Sequence, residues 1–399
     1  MSEMNDAVIV AYGRTACAKA KKGSFRDLHP VEYGAQALDG VVSRLPGLER
    51  AEIDDFIVGC AMPHGVQGWN ISKLILQRAG FPDSVSSQTV NRFCSSGLQA
   101  LAIANNCIRC GEGETIVAGG VESMSLVSML PEEASFDSWL AEHRPGAYMG
   151  PGLTAENVAV RYHVSRADME TMAAESHRRA AEAWDRGYYD SQILPVTFSG
   201  PDGIPVTLTS DEGLRRGITA DSLASLKPCF SETGLVTAAT SSQMSDGASF
   251  LVMMSAEKAV QKGFRPLARM VAFSTCGVPA EIMGIGPIEA VPKVLKRTGL
   301  TLDDMDVIEL NEAFAAQALA CIRYLGMDPA KVNPWGGAMA LGHPLGATGA
   351  MLACKALAYL ERTGGRYGLV TMCVGGGMGA AGIFERIVAD STSDGRIRA

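Results

Sequence analysis

The segment Asn91-Arg92-Phe93-Cys94-Ser95-Ser96-Gly97 joins a strand-like end, Gln88-Thr89-Val90, to an apolar-periodic run from Leu98 to Cys110. It sets a cysteine at a sharp bend directly before a helix, and Ser95 or Ser96 is placed to cap that helix. A thiol there lies near unpaired N–H groups and the positive end of the helix dipole. That setting is expected to pull its pKa below the usual value of about 8.5 and favour thiolate. The alternative is a buried structural thiol, the common state of a free cysteine.

Working outward, the helix opened at Gly97 leads through Gly111 and Gly113 to the strand-like Thr115-Ile116-Val117-Ala118-Gly119-Gly120. A similar pattern returns near the C-terminus. A helix opened at Gly349 leads through Gly364 and Gly365 to Gly368-Leu369-Val370-Thr371-Met372-Cys373. The near-equal spacing reads as an internal repeat. The rest of the chain alternates in the same manner. Strand-like runs cover Ala7 to Ala11, Asp55 to Gly59, Ala268 to Thr275, Val307 to Leu310 and Tyr367 to Met372. Helical runs cover Val31 to Leu45, Ile71 to Ala79, Ile288 to Arg297, Phe314 to Leu325 and Ala350 to Glu361. This alternation predicts an α/β fold. Between the repeats, about Glu122 to Ser245 breaks the rhythm. It holds Met124, Met129 and Met149, prolines 131, 145 and 151, and a helical piece from Ala167 to Arg186.

Three further segments carry candidate chemistry. His343 stands between Gly342 and Pro344 in Gly336-Gly337-Ala338-Met339-Ala340-Leu341-Gly342-His343-Pro344-Leu345-Gly346-Ala347-Thr348-Gly349. A histidine in a tight, glycine-rich loop is where function tends to be carried, although a lone histidine is more often structural. Cys373 ends a β-like run and opens Gly375-Gly376-Gly377-Met378-Gly379. Glycines of this kind let backbone N–H groups approach a ligand without a Cβ in the way. Asn311-Glu312-Ala313-Phe314-Ala315 precedes both.

Together these segments resemble, in sequence and order, the thiolase family, and most closely its degradative 3-ketoacyl-CoA thiolases. The resemblance covers nearly the whole chain. It implies a thiolase fold, two duplicated α/β halves in a layered αβαβα arrangement with an inserted loop domain. The implied division is 1–121 with 246–266 for the N-terminal half, 122–245 for the loop domain over coenzyme A (CoA) and the acyl pocket, and 267–399 for the C-terminal half. It also implies roles. Cys94 would accept the acyl group and His343 would activate it. Cys373 would handle the α-proton of acetyl-CoA. Asn311 would hold a water that stabilises the thioester enolate together with His343. The N–H groups of Cys94 and Gly375 would form a second oxyanion hole. Arg215 matches a position near the CoA nucleotide, Ser242 a pantetheine contact, and Met149 and Phe314 pocket positions. For Arg215 a solvated loop pair is as good a reading, and for Met149 and Phe314 plain core packing is an alternative. No cofactor is implied beyond CoA as substrate. A homodimer or homotetramer and a hydratase/dehydrogenase partner of β-oxidation are family implications as well. A short-chain acetyl-CoA C-acetyltransferase making or cleaving acetoacetyl-CoA is the alternative activity.

The chemistry explains why these residue types are needed. Cleaving a 3-ketoacyl-CoA between its α and β carbons requires a nucleophile at the β-carbonyl, and sulfur leaves a thioester as reactive as the product. An ordinary thiol is only a few per cent ionised at neutral pH, so a base helps. The departing acetyl-CoA carbanion needs its oxygen stabilised and its carbon protonated, which calls for a second set of donors and an acid.

Composition fits a large enzyme: 399 residues, 47% hydrophobic, 20% charged, 44 glycines. That is long enough for more than one core. The net charge of −8 argues against nucleic-acid binding through a global basic field, so anionic CoA would need a local basic patch. The ten cysteines form no spacing framework, the start Met1-Ser2-Glu3-Met4-Asn5-Asp6 is polar, and no apolar run reaches membrane-spanning length, so a cytoplasmic protein with reduced thiols is expected. The C-terminal Arg396-Ile397-Arg398-Ala399 does not read as a peroxisomal signal. Cys107-Ile108-Arg109-Cys110 lacks the second pair of a zinc site, and no metal site is expected.

Departures from the family pattern are also visible. The covering loop reads Tyr148-Met149-Gly150-Pro151-Gly152 where short-chain members carry His-Met-Gly. Trp335 replaces an Asn and is expected to reshape the acyl pocket or a subunit contact. Met351 replaces an Arg, removing an ion pair. Other classes fit less well. A lipid carrier needs neither Cys94 nor His343 nor Cys373. A ketosynthase-type enzyme usually pairs its cysteine with two histidines, or a histidine and an asparagine. The glycine clusters form neither GxGxxG after a strand nor a Walker motif.

Overall fold

The computed structural model describes residues 6–129, 136–200 and 202–388; Met1 to Asn5, Pro131 and the C-terminal Arg396 to Ala399 lie outside the described residues. The first half supplies strands β1 (Ala7–Arg14), β2 (Ala18–Lys19), β3 (Asp55–Gly59), β4 (Ser86–Val90) and β5 (Thr115–Ser123). An insertion follows, carrying the hairpin β6 (Val196–Ser199) and β7 (Pro205–Leu208), and the half is completed by β8 (Ser245–Ser255). The second half supplies β9 (Ala268–Gly277), β10 (Val307–Leu310), β11 (Tyr367–Val374) and β12 (Met378–Arg386).

The strand order is β10-β11-β12-β9-β1-β8-β5-β3-β4, with β2 paired to β8. The repeat is therefore one of topology. β3 runs parallel to β5, and β8 is antiparallel to both β5 and β1. In the second half β10 runs parallel to β11, and β12 is antiparallel to both β11 and β9. The place of β4 beside β3 is taken by Val332, which makes a parallel bridge to Ile308 of β10. Among the described residues the two half-sheets pair where Ile9 of β1 meets Ala268 of β9.

Helices α1 (Pro30–Val42) and α2 (Ile71–Arg78) cover the outer face of the first half-sheet, and α3 (Ser96–Cys110) lies on its inner face. The insertion adds α4 (Ser138–His143), α5 (Pro151–Arg161), α6 (Arg166–Asp185) and α7 (Ala220–Leu223), and α8 (Ala256–Lys262) follows β8. In the second half α9 (Gly286–Thr298) and α10 (Ala315–Leu325) form the outer cover. After the short α11 (Ala338–Leu341), helix α12 (Leu345–Thr363) joins α3 between the sheets. Every residue of α12 from Leu345 to Ala358 is buried, as suits a helix walled on both sides.

Lys355 is buried on that helix and survives there because its Nζ lies 2.7 Å from Glu309 Oε2 and 2.6 Å from the Gly336 carbonyl. The strand β8 is buried along its whole length for the same reason as α12. Its uninterrupted apolar stretch lacks the alternation by which half-buried strands are recognised.

Gly97 of α3 and Gly349 of α12 meet at the helix crossing. A Cβ on Gly97 would stand 2.8 Å from the Gly346 carbonyl oxygen, and one on Gly349 would stand 2.3 Å from the Leu98 nitrogen. Glycine is required here by close backbone approach, and α12 in fact begins at Leu345, one turn before Gly349. Gly349→Ala is expected to destabilise the fold by about 1–3 kcal/mol, because backbone rather than a mobile side chain must yield. A urea midpoint equal to wild type would show that the crossing has slack.

Candidate active site

The crossing brings the amino termini of α3 and α12 together, and the candidate residues collect there. Cys94 sits in a single 3₁₀ turn, Phe93–Ser95, between β4 and α3. Phe93 adopts φ +42°, a left-handed conformation that a bulky residue rarely takes. Strain of this kind costs on the order of 1–3 kcal/mol and is held by its surroundings. Asn91 Oδ1 accepts the Phe93 N–H at 2.7 Å, and the Ser96 hydroxyl accepts the Arg92 N–H at 2.9 Å while donating to the Phe93 carbonyl at 2.7 Å. The serines thus do not cap α3: Ser95 makes no side-chain cap bond, and Ser96 ties the bend instead.

The expected depression of the Cys94 pKa is not what the structure holds. Cys94 is 9% exposed and packs with Ala61, Met124 and Leu345, with Met62, Phe93 and Met129 alongside. Burial pushes the thiol up to about 11, against the pull of the Gly375 N–H and its own N–H, which both point at the sulfur, and the Glu122 carboxylate raises it further. Desolvation outweighs the helix terminus, so the resting group is a thiol.

His343 is 4% exposed and its pKa is pushed down to about 4 by burial alone, so the imidazole is neutral at pH 7. Its tautomer follows from its partner. Thr348 Oγ1 donates its one proton to the Pro344 carbonyl at 2.9 Å, so toward His343 Nδ1, at 2.6 Å, it acts as acceptor. Nδ1 carries the hydrogen, and Nε2 is left with a lone pair. Nε2 lies 3.3 Å from Asn311 Nδ2. Asn311 Oδ1 is buried with no protein donor, so it is open to a donor from water or substrate. The backbone of His343 is fixed as well, its N–H donating to the Gln243 carbonyl at 3.0 Å.

If His343 is the base, Thr348→Val is expected to lower kcat by roughly ten- to a hundred-fold, since the ring loses the partner that sets its orientation as well as its tautomer. Thr348→Ser should restore most of it. Steady-state assays of both variants decide the matter, and wild-type kcat in the valine variant would remove Thr348 from this role.

Cys373 is wholly buried on β11, opposite Gly379 of β12, and burial, then Cys94, then Cys321 push its pKa well up. The influence of Cys94 on Cys373 marks them as neighbours. Gly375 stands at the β11–β12 turn with the Phe93 ring 3.5 Å from where its Cβ would be, and Gly376 and Gly377 turn the chain with φ +77° and +86°. The first bend and the last hairpin therefore face each other.

The remaining candidates divide. The Ser242 N–H donates to the Ala313 carbonyl at 2.9 Å, next to the segment that holds His343. Phe314 is 8% exposed, belongs to the core under α10, and packs edge-on to Phe230 at 5.9 Å. Phe230 is 39% exposed, seated where a Cβ on Gly152 would fall 2.1 Å from its ring, and its place beside Phe314 could not be read from the sequence. Met149 lies against Asn157, its sulfur 3.4 Å from Nδ2, whereas Met62, Met124 and Met129 are the methionines grouped with Cys94. Arg215 is exposed; its N–H donates to His177 Nδ1 at 3.1 Å, and it lines a surface pocket of about 220 Å³ with His177, Arg178 and Arg216. Arg216 is held by Asp185, and no described carboxylate pairs with Arg215. Gln243 links this loop to the site, donating to the Gly213 carbonyl at 2.6 Å and the Met339 carbonyl at 3.1 Å.

Of the departures, Trp335 does not reach the Cys94 cluster. It is buried among Tyr188, Tyr189 and Tyr359, with ring centroids 5.1, 6.2 and 5.3 Å away. Met351 packs in an apolar pocket with Cys17 and Ala347. Tyr148 stacks on Phe136 at 4.2 Å. All ten cysteines are free, and among the described residues no group of three or more His, Cys, Asp or Glu is placed to hold a metal. No described helix is long and apolar enough to cross a membrane.

Comparison with known proteins agrees with this geometry. Residues 7–257 match the thiolase N-terminal domain and residues 264–386 the thiolase C-terminal domain. The chain is 47% identical to a 3-ketoacyl-CoA thiolase of Bacillus subtilis, over 96% of this chain and all of that protein. Its fold superposes with a TM-score of 0.90 on a Bacillus anthracis acetyl-CoA acetyltransferase, 38% identical, covering 97% of this chain and all of that one. It does so equally on the dimeric peroxisomal thiolase of Saccharomyces cerevisiae, 39% identical, covering 96% and 97% of the two chains. Matched along its length by both domain models and by a full-length relative, the chain belongs to the thiolase family.

Proposed function

We propose that the chain cleaves 3-ketoacyl-CoA with CoA, releasing acetyl-CoA and an acyl-CoA two carbons shorter. The observation that carries this reading is the Cys94 sulfur, which meets two N–H groups from opposite halves and neighbours a second thiol.

His343 Nε2 takes the thiol proton as the sulfur bonds to the β-carbonyl carbon. The N–H groups of Cys94 and Gly375 receive the oxygen charge of the intermediate. The Cα–Cβ bond then breaks and its electron pair passes into the acetyl-CoA enolate. That enolate oxygen is served by His343 and by a water accepted at the open Oδ1 of Asn311. Cys373 protonates the α-carbon and is left as thiolate. Acetyl-CoA departs, and CoA enters, giving its proton to Cys373 and attacking the Cys94 thioester. The sulfur of Cys94 leaves with the proton held by His343, so every group ends as it began. Kinetics of this order are ping-pong.

The segment between β5 and β8 would cover CoA, with Arg215 beside the nucleotide and Ser242 beside the pantetheine, and Phe314 with Phe230 would wall the acyl chain. No cofactor beyond CoA enters these steps. A homodimer in the cytoplasm suits the reading. β4 ends the sheet, and Trp69, 93% exposed, projects beside it, since Asn70 bonds Ser87 and Thr89 of that strand. An exposed indole next to an open strand edge is a surface that a second copy would bury.

The test is CoA-dependent cleavage of a 3-ketoacyl-CoA series from acetoacetyl-CoA to long chains. Fastest turnover on medium or long chains is expected. Preference for acetoacetyl-CoA would move the chain to the short-chain acetyltransferases, and no cleavage at any length would end the proposal.

A further inference from the structure

Glu122 is a charged residue within the buried strand β5, not the start of the insertion where the sequence reading placed it. It is wholly buried, and among the described residues no Lys, Arg or His forms an ion pair with it. Its carboxylate instead receives four N–H bonds. Oε2 accepts from Ala61 N at 2.8 Å and from Gly346 N at 2.8 Å. Oε1 accepts from Gln67 Nε2 at 2.7 Å and from Met62 N at 3.3 Å. Gln67 cannot turn its amide round, because its Oε1 accepts the Ser123 N–H while its Nε2 also donates to the Met62 carbonyl at 2.9 Å. With the Cys60 thiol 3.9 Å from Oε1, every hydrogen-bond partner is a donor, and these donors support the ionised carboxylate against burial, which pushes its pKa up.

The position of these partners matters more than their number. Ala61 and Met62 belong to the apolar wall of Cys94, and so does Leu345, the residue before Gly346. Gly346 lies in the first turn of α12, three residues after His343 and two before Thr348. We propose that Glu122 is a positioning residue whose Oε2 bolts the Ala61–Met62 wall of the nucleophile to the helix start that carries the base. This rests on the reading of Cys94 as nucleophile. Burial alone keeps Cys94 a thiol near neutral pH, and the Glu122 carboxylate raises it a little further. The titratable groups facing Glu122 are Cys60 and Cys94, together with Tyr33, whose hydroxyl donates to the Glu122 carbonyl at 2.7 Å. Asp246 lies beyond Tyr33 and is satisfied by Ser125.

A thiol that stays protonated resists adventitious alkylation and oxidation in the free enzyme. It ionises only when His343 takes its proton against a bound carbonyl.

Two variants of the full-length protein separate geometry from charge. Glu122→Gln keeps the shape but turns one oxygen into a donor facing other donors, and it removes the charge. Its kcat should fall by roughly ten- to a hundred-fold, the scale of a small misplacement of reacting groups. The pH midpoint for alkylation of Cys94 by iodoacetamide should fall slightly, by up to about one unit. Glu122→Asp keeps the charge and loses reach, so its kcat should fall while its alkylation midpoint stays with wild type; this variant decides the question if the glutamine variant does not fold. Wild-type kcat in either variant, or equal midpoint shifts in both, would overturn the proposal. The alkylation readout needs no turnover, so a wild type that fails to cleave 3-ketoacyl-CoA would sink the proposed function and still leave Glu122 to be decided.

Discussion

Cys94→Ala is expected to lower thiolysis by on the order of 10⁶-fold, the scale seen when a covalent nucleophile is removed from a site whose members act as a unit. The size of the loss follows from the structure. Cys94 has no second thiol able to stand in for it at the bend. Cys373 lies on the opposite hairpin, wholly buried, with its pKa pushed well up. Acyl-CoA should still bind, because the alanine removes only the sulfur from a wall made by Ala61, Met124 and Leu345. Trapping with radiolabelled 3-ketoacyl-CoA should show an acyl-enzyme in wild type and none in the variant. A Cys94→Ala protein that turns over at even a hundredth of the wild-type rate would mean that acyl transfer does not pass through this residue. Binding without cleavage in the wild type itself would favour a carrier.

The architecture was legible where the chain must satisfy local rules. Asp55–Gly59, opened by Asp54 and closed by a glycine, and Val307–Leu310, flanked by Asp306 and Asn311, are legible to the residue. β8 and β12 were not read as strands. β8 is buried throughout, with an unbroken apolar run from Phe250 to Met254, because both its faces are covered, and β12 carries small residues, Gly379 to Gly382, of low strand propensity. Their existence is fixed by partners far away in sequence. The same holds in the site. Cys94, His343, Cys373 and Asn311 stand out by residue type and neighbours. Thr348 and Glu122 do not, because their importance lies in what they touch. A carboxylate in the middle of an apolar strand was nevertheless a visible signal, since burying an unpaired charge is costly unless donors are waiting.

The pKa of Cys94 shows where reasoning from a motif stops. A helix terminus lowers a thiol pKa when water or a cation shares the site. Here the bend is closed by Phe93, Leu345 and methionines, and desolvation wins. His343 is displaced the opposite way by the same burial, to about 4. Near neutral pH the pair is therefore thiol and imidazole, not thiolate and imidazolium. On the proposed mechanism the proton would then move in the same step that forms the carbon–sulfur bond, and the orientation of Nε2 set by Thr348 would be decisive.

Cys373→Ala should separate the two halves of the reaction. The proton-transfer function of a placed side chain contributes typically 10²–10⁴-fold, and turnover should fall within that range. Acylation of Cys94 from an activated acyl-CoA should persist, because the nucleophile, its base and the N–H groups of Cys94 and Gly375 are untouched. Exchange of the acetyl-CoA α-proton with deuterated solvent should disappear, since Cys373 is the acid proposed for that carbon. Serine at this position would hydrogen-bond like the thiol but hold its proton far more tightly, so Cys373→Ser should exchange as poorly as the alanine variant. Proton exchange at the wild-type rate in both variants would assign the α-carbon to another group, with His343 the first to test. Loss of Cys94 acylation together with exchange would show instead that Cys373 supports the nucleophile by packing against it.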